Sequence, residues 1–174
     1  MADFKLKYPS ADTTPLTISL GGLGTNSAGA FVVGRESTAV DNRTNLDLDH
    51  LLSGRIRAGT TPTASRTIAV YVYTPTTIAS GTPTYPDVIT GTDGARTITS
   101  ANVLGSGLRL AWATLVDATS DRDYFLPQIS IASLFNGIMP PLWGVFVAHD
   151  TAVALNATGG NHFLHYHRVQ TQSV

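Results

Sequence analysis

Residues 159–170, GGNHFLHYHRVQ, carry three of the chain's five histidines: His162, His165 and His167. Imidazoles ligate metals, act as general bases or switch charge near neutral pH, so the spacing decides which chemistry is open. If the stretch is a β-strand, side chains alternate. Phe163, His165 and His167 then face one way, and His162, Leu164, Tyr166 and Arg168 the other. His165 and His167 share a site with Cα atoms about 7 Å apart. Two imidazoles at that spacing begin a zinc or nickel site, but a stable one needs a third and fourth ligand. His149 and Asp150 offer themselves if residues 142–148 pair with the histidine strand as a hairpin. A symmetric site shared between subunits is the other route. The remaining reading is a half-exposed strand in a subunit contact, and it is the one adopted: no bound metal and no cofactor is expected.

Other chemical signals are incomplete. Asp117, Asp121 and Asp123 crowd one loop, but not at the spacing of a calcium loop with its glycine and terminal glutamate. GLGTNSAG (residues 22–29) lacks the lysine of a phosphate-binding loop and precedes a strand-like segment instead of a helix. No Gly-x-Ser-x-Gly follows a strand. Paired carboxylates on separate strands can meet in space, yet nothing indicates such a pair. The expectation is therefore a non-enzymatic protein. Tyr and Arg are enriched at the centres of protein interfaces, which makes Tyr71, Tyr73, Tyr166 and Arg168 candidate contact residues beside His165 and His167.

The elements that must position these residues have a period of two. LDLDHLLSGRIRA (residues 46–58) alternates Leu46, Leu48, Leu52 and Ile56 with Asp47, Asp49, Ser53, Arg55 and Arg57, as a strand with one buried face does. Gly54 inside it marks a bulge or bend. RTIAVYVYT (residues 66–74) places Ile68, Val70 and Val72 opposite Thr67, Tyr71 and Tyr73, so the two tyrosines fall on the nominally wet face, which either meets a partner or is covered by a loop or by the N-terminal arm. LRLAWATLV (residues 108–116) sets Leu108, Leu110, Trp112 and Val116 against Arg109, Ala111 and Ala113. LWGVFVA (residues 142–148) reads as a central strand buried on both faces. Shorter candidates are LTISL (16–20), AFVV (30–33), RTITS (96–100) and YFLPQISI (124–131), and Ser130–Gly137 is the one short helix predicted. Gly-, Pro- and Asn-rich turns separate them. The predicted fold is all-β: an antiparallel β-sandwich or jelly roll of about eight strands over residues 16–174, preceded by an N-terminal arm, residues 1–15. That arm lies either on a neighbouring subunit or on its own domain.

Composition limits the partners. Charged residues make up 13% of the 174, hydrophobic residues 43%, and the net charge is −1. Such a neutral, hydroxyl-rich surface, without a Lys/Arg cluster, offers nothing to a nucleic-acid backbone. The absence of cysteine removes disulfides and thiolate metal sites. No apolar run reaches membrane-span or signal-peptide length, so a soluble protein that is not exported is expected.

VGRESTAVDNRTNLDLDHLLSGRIRAGTTPTASRTIAVYVY, YPDVITGTDG and ASLFNGIMPPLWGVFVAHDTAVALNATGGNHFLHY, with the alternating strands, resemble small structural proteins encoded by tailed bacteriophages. The resemblance runs from about residue 34 to the end and carries no diagnostic functional residue. It implies a virion component, assembled in the bacterial cytoplasm. The leading expectation is a capsid decoration or cement protein that binds across major capsid protein subunits as a symmetric homo-oligomer, with a trimer as the guess. The alternative is a tail, neck or host-receptor-binding component. A carbohydrate-binding sandwich, using Tyr71, Tyr73 and Trp112 as a platform, ranks third.

Overall fold

The computed structural model describes residues 4–9 and 13–173. Its strands, in chain order, are β1 (Phe4–Lys7), β2 (Thr13–Pro15), β3 (Val33–Glu36), β4 (Val40–Asp41), β5 (Asp49–Arg57), β6 (Thr67–Tyr73), β7 (Thr77–Ala79), β8 (Thr82–Thr84), β9 (Gly94–Thr97), β10 (Arg109–Leu115), β11 (Asp123–Ser130), β12 (Leu142–His149) and β13 (Phe163–Ser173). Two short helices, α1 (Ala101–Gly107) and α2 (Ile131–Leu134), are capped by the hydroxyls of Ser100 and Ser130. Each cap oxygen accepts a backbone N–H of the first turn that has no partner within the helix. Among the described residues, no helix is long and apolar enough to cross a membrane.

Two antiparallel sheets pack together, so the fold is all-β. One runs β1-β13-β5-β11 with β2 also on β13; the other runs β10-β6-β12-β3-β9 with β4 on β12. Alternation builds the core between them. Leu52, Ile56, Leu126 and Leu164 from the first sheet meet Ile68, Val70, Val72, Trp143, Val145 and Val147 from the second. Each side chain of this size stabilises the fold by about 1.5–3 kcal/mol when fully buried.

A second core lies on the outer side of the second sheet. Tyr73, Phe146 and Ala148 pack there against Ile89, Ile98, Leu104 and Leu108. This explains why β12 is buried along its whole length. Trp143, Val145 and Val147 fill the inner core, and Phe146 and Ala148 the outer one, as the continuous apolar run predicts. Gly144 is required between them, because a Cβ there would lie 2.3 Å from the Tyr73 ring.

The second core also corrects the reading of Tyr71 and Tyr73. Their face is covered, not wet. Tyr73 is fully buried and donates its hydroxyl to Ser37 O at 2.6 Å, while Tyr71 is half-buried against the same cluster. Burial raises the pKa of both phenols.

Gly54 is central in its sheet. A Cβ at Gly54 would stand 2.3 Å from Phe163 O and 2.7 Å from a Leu164 methyl, so the residue permits close approach of β13, and the adjacent register shift falls in β11 between Leu126 and Ile129. Gly54→Ala is expected to cost about 1–3 kcal/mol, the range for overpacking a filled interior. An unchanged urea midpoint would show that β13 moves aside freely.

The described parts of the expected arm fold onto their own domain: β1 pairs with residues 170–173 of β13, and β2 with residues 165–167. Residues 1–3 and 10–12 of that arm lie outside the described residues. LTISL is not a strand. Leu16 and Leu20 are buried in the core as its period predicts, but the segment crosses from one sheet to the other between β2 and β3.

Candidate protein-contact face

The outer side of the first sheet remains open. Antiparallel register sets Phe125 of β11 beside Arg55 of β5, and Arg55 beside Phe163 of β13. Paired residues project to the same side, so a row of aromatic, guanidinium and aromatic groups crosses three strands. Phe125 is 67% exposed and Phe163 42%.

Arg55 is held in place. Its guanidinium lies 5.0 Å from the Phe163 ring centroid and donates to Asn161 O and Gly160 O at 3.2 and 3.4 Å. Beside it, Arg57 grips Asp123 through two hydrogen bonds of 2.6 and 2.9 Å. Groups already fixed in the free protein lose less entropy when a partner docks.

The histidines extend this row along β13. The rings of Phe163 and His165 stack with centroids 5.4 Å apart, and His165 meets His167 edge-on at 5.4 Å. His165 Nε2 lies 3.0 Å from Ser53 Oγ across the ladder. The neighbours of the His165 ring along the strand are Phe163 and His167, not the carboxylate that orients the histidine of a catalytic triad.

Of the six candidate contact residues, His165 and His167 stay on this face. Tyr166 and Arg168 turn inward, as alternation requires. The Tyr166 ring packs 4.5 Å from His50 and 5.6 Å from Trp143, and Arg168 donates through Nε and Nη2 to both oxygens of Asp47. With Tyr71 and Tyr73 inside the second core, four of the six line the interior. Phe125 and Arg55, which sequence reasoning missed, take their place. Phe163 had the right parity in the sequence, but the cross-strand register that brings Phe125 and Arg55 to it was not readable.

The metal hypothesis does not assemble. β12 pairs with β6, β3 and β4, so His149 sits in the opposite sheet from His165. It is buried with Nε2 donating to Leu23 O at 3.0 Å and Nδ1 facing Thr151 Oγ1 at 2.9 Å. Asp150 instead accepts the Gly29 and Thr67 amides. The loop carboxylates are likewise divided: Asp117 to Arg122, Asp121 to Asn156, Asp123 to Arg57. Among the described residues, no group of three potential ligands converges.

One polar network was invisible to the alternation argument. Asp47, expected on a wet face, has a fully buried carboxylate. It accepts from Arg168, from Gln170 at 2.7 Å and from His50 Nε2 at 2.9 Å. Trp143 Nε1–H donates to His50 Nδ1 at 2.8 Å, which places the neutral ring's proton on Nε2, toward Asp47. Burial tends to raise the Asp47 pKa, but donation by Arg168, His50 and Gln170 outweighs it and lowers the pKa to about 2.

Burial also lowers the pKa of His50, His149, His162 and His165. The folded state therefore binds fewer protons than the unfolded chain below the ordinary histidine value of about 6.5. Stability must rise with pH through this range and fall on acidification. The melting temperature is expected to be lower at pH 5 than at pH 7; equal values would mean that these rings accept protons in place. A comparison with protein-family models, curated proteins and solved structures finds no match to this chain.

Proposed function

We propose that this protein is a non-enzymatic structural component of a tailed-bacteriophage virion, and specifically a head decoration protein that binds across major capsid protein subunits. The observation that carries the reading is the pre-ordered outer face of the first sheet, with Phe125, Arg55, Phe163, His165 and His167 in one continuous patch. Aromatic residues and arginine are enriched in interface cores, where few residues supply most of the binding energy. Repetition of one modest contact over a lattice multiplies the hold.

Connectivity supports the same reading. Taken as eight principal strands in chain order, β2, β3, β5, β6, β10, β11, β12 and β13 form the sheets β2-β13-β5-β11 and β3-β12-β6-β10. That alternation, first and last strands adjacent and the chain crossing repeatedly between sheets, fits a jelly roll, an architecture used by viral coat and lectin domains. Fold alone does not assign function, so the contact face, not the topology, carries the proposal. The low charge and hydroxyl-rich composition suit protein partners, with neither nucleic acid nor membrane bound directly. The polar groups of the interior are spent on structure: among the described residues no buried side-chain donor or acceptor lacks a partner.

Mixing purified protein with phage heads assembled without it tests the reading. Decoration of a symmetric lattice predicts on the order of hundreds of copies per shell, whereas about a dozen or fewer moves the protein to the neck or tail. Failure to bind heads, with binding to host cells, makes it a receptor-binding component.

A further inference from the structure

We propose that the His50–Trp143 pair is an acid-operated latch between the two sheets, closed while the imidazole is neutral and opened when it takes a second proton. His50 stands on β5 of the first sheet and Trp143 on β12 of the second. Both side chains are fully buried. The indole N–H donates to His50 Nδ1 at 2.8 Å, so a side-chain hydrogen bond crosses the core from one sheet to the other. An indole nitrogen donates and never accepts. Nδ1 therefore makes this bond only without a proton, and the ring's one proton lies on Nε2, 2.9 Å from Asp47 Oδ2.

A second proton would turn Nδ1 into a donor aimed at another donor, and repulsion would replace the bond. The groups facing the ring are already committed. Asp47 holds Nε2 and is itself gripped by Arg168; Asp49 accepts the His50 and Ala132 amides; the Tyr166 ring packs at 4.5 Å. Burial and Arg168 oppose the charged ring, Asp47 and Asp49 favour it, and burial prevails: the His50 pKa is lowered. His149 differs. Its Nδ1 faces the Thr151 hydroxyl, which accepts a proton from the ring while donating to Val153 O. His162 Nδ1 also faces a donor, the Arg57 amide at 3.3 Å, but β13 and β5 are paired within one sheet, so that bond ties no sheets together.

The latch has room to open. Tyr166, which packs on both rings of the pair, and Val40, the register partner of Trp143, line a cleft of about 260 Å³ with Pro15, Leu16 and Asp41. Pro15 and Tyr166 belong to the first sheet, Val40 and Asp41 to the second. Separation of the pair widens a gap that already exists at this seam. The open form binds one proton more than the closed one. Acidification below the ordinary histidine value of about 6.5 thus favours opening, by up to about tenfold per pH unit. The inference rests on the interior alone and stands or falls separately from the virion reading.

Hydrogen exchange of the Trp143 indole N–H tests the latch, followed by NMR on the native chain between pH 7 and pH 5 and divided by the intrinsic rate at each pH. Opening at the seam predicts that protection of this proton falls with acid by up to about tenfold per pH unit, while the backbone amides of β6 stay better protected. His50→Gln replaces the ring by an uncharged amide that accepts from the indole and donates to Asp47, and its indole protection is expected to be flat with pH. Protection that is flat in the native chain overturns the latch. So does protection equal to that of the β6 amides at every pH, because the indole is then released only by unfolding of the whole chain. A native slope retained in His50→Gln overturns it as well; if that variant does not fold, the two native readings decide.

Discussion

Asp47→Ala is expected to destabilise the protein by about 3–5 kcal/mol, the usual result of breaking a buried ion pair by removing one partner. The carboxylate is fully buried and is shared by Arg168, His50 and Gln170. Its loss leaves a guanidinium, an imidazole N–H and an amide facing a cavity. In a chain of this length the change corresponds to a fall in melting temperature of about 6–20 °C. Chemical denaturation measures it directly, and a loss under about 1 kcal/mol would mean that water reaches these donors without unfolding. The same group sets an acid limit. Its pKa of about 2 in the folded state lies below the ordinary aspartate value of about 3.9, so its contribution is complete above pH 4 and disappears as pH falls toward 2.

The second large effect is on binding. Phe125→Ala with Phe163→Ala should leave stability nearly intact, because both rings are exposed, yet weaken attachment to the particle at least a hundredfold. A central aromatic anchor is worth about 2 kcal/mol or more, on the order of thirtyfold in affinity. Arg55 loses its ring partner in the same variant, so a stacked, ordered guanidinium becomes a mobile one. Sedimentation of the variant with heads lacking the native protein, across a concentration series, gives the ratio. Retention of native affinity places the contact on another face.

The limits of the sequence reading have identifiable physical causes. The period of two located β5 and β6 and set Leu52, Ile56, Ile68, Val70 and Val72 on the faces that form the central core, because one-sided burial dictates alternation, while β12 was legible as a continuous apolar run. It failed where a polar interaction overrides the pattern. In LDLD, Leu46 takes a positive φ of 53° and is 75% exposed, while Asn42 clamps the Asp47 backbone through two hydrogen bonds and turns the carboxylate inward. The strand begins only at Asp49. In LRLAWATLV a register shift between Leu110 and Trp112 separates residues the period had placed together, so Leu108 is buried and Leu110 is 53% exposed. Tyr71 and Tyr73 stayed open between a contact and a covered face because nothing local reveals that α1 and residues 85–98 close over the second sheet. Three of the five residues of the proposed contact face, Phe163, His165 and His167, were legible as strand parity. The other two, Phe125 and Arg55, depend on which strands become neighbours, and no single segment encodes that.

The central claim, that the outer face of the β13-β5-β11 sheet is the surface that meets the particle, is tested most directly by footprinting its histidines. Diethyl pyrocarbonate acylates neutral, accessible imidazoles, and His165 and His167 are partly exposed while His50 and His149 are fully buried. Modification followed by peptide mass spectrometry, on free and on head-bound protein, should show both β13 histidines reacting in the free state and becoming protected on the particle. Equal reaction rates in the two states would contradict the assignment of this face.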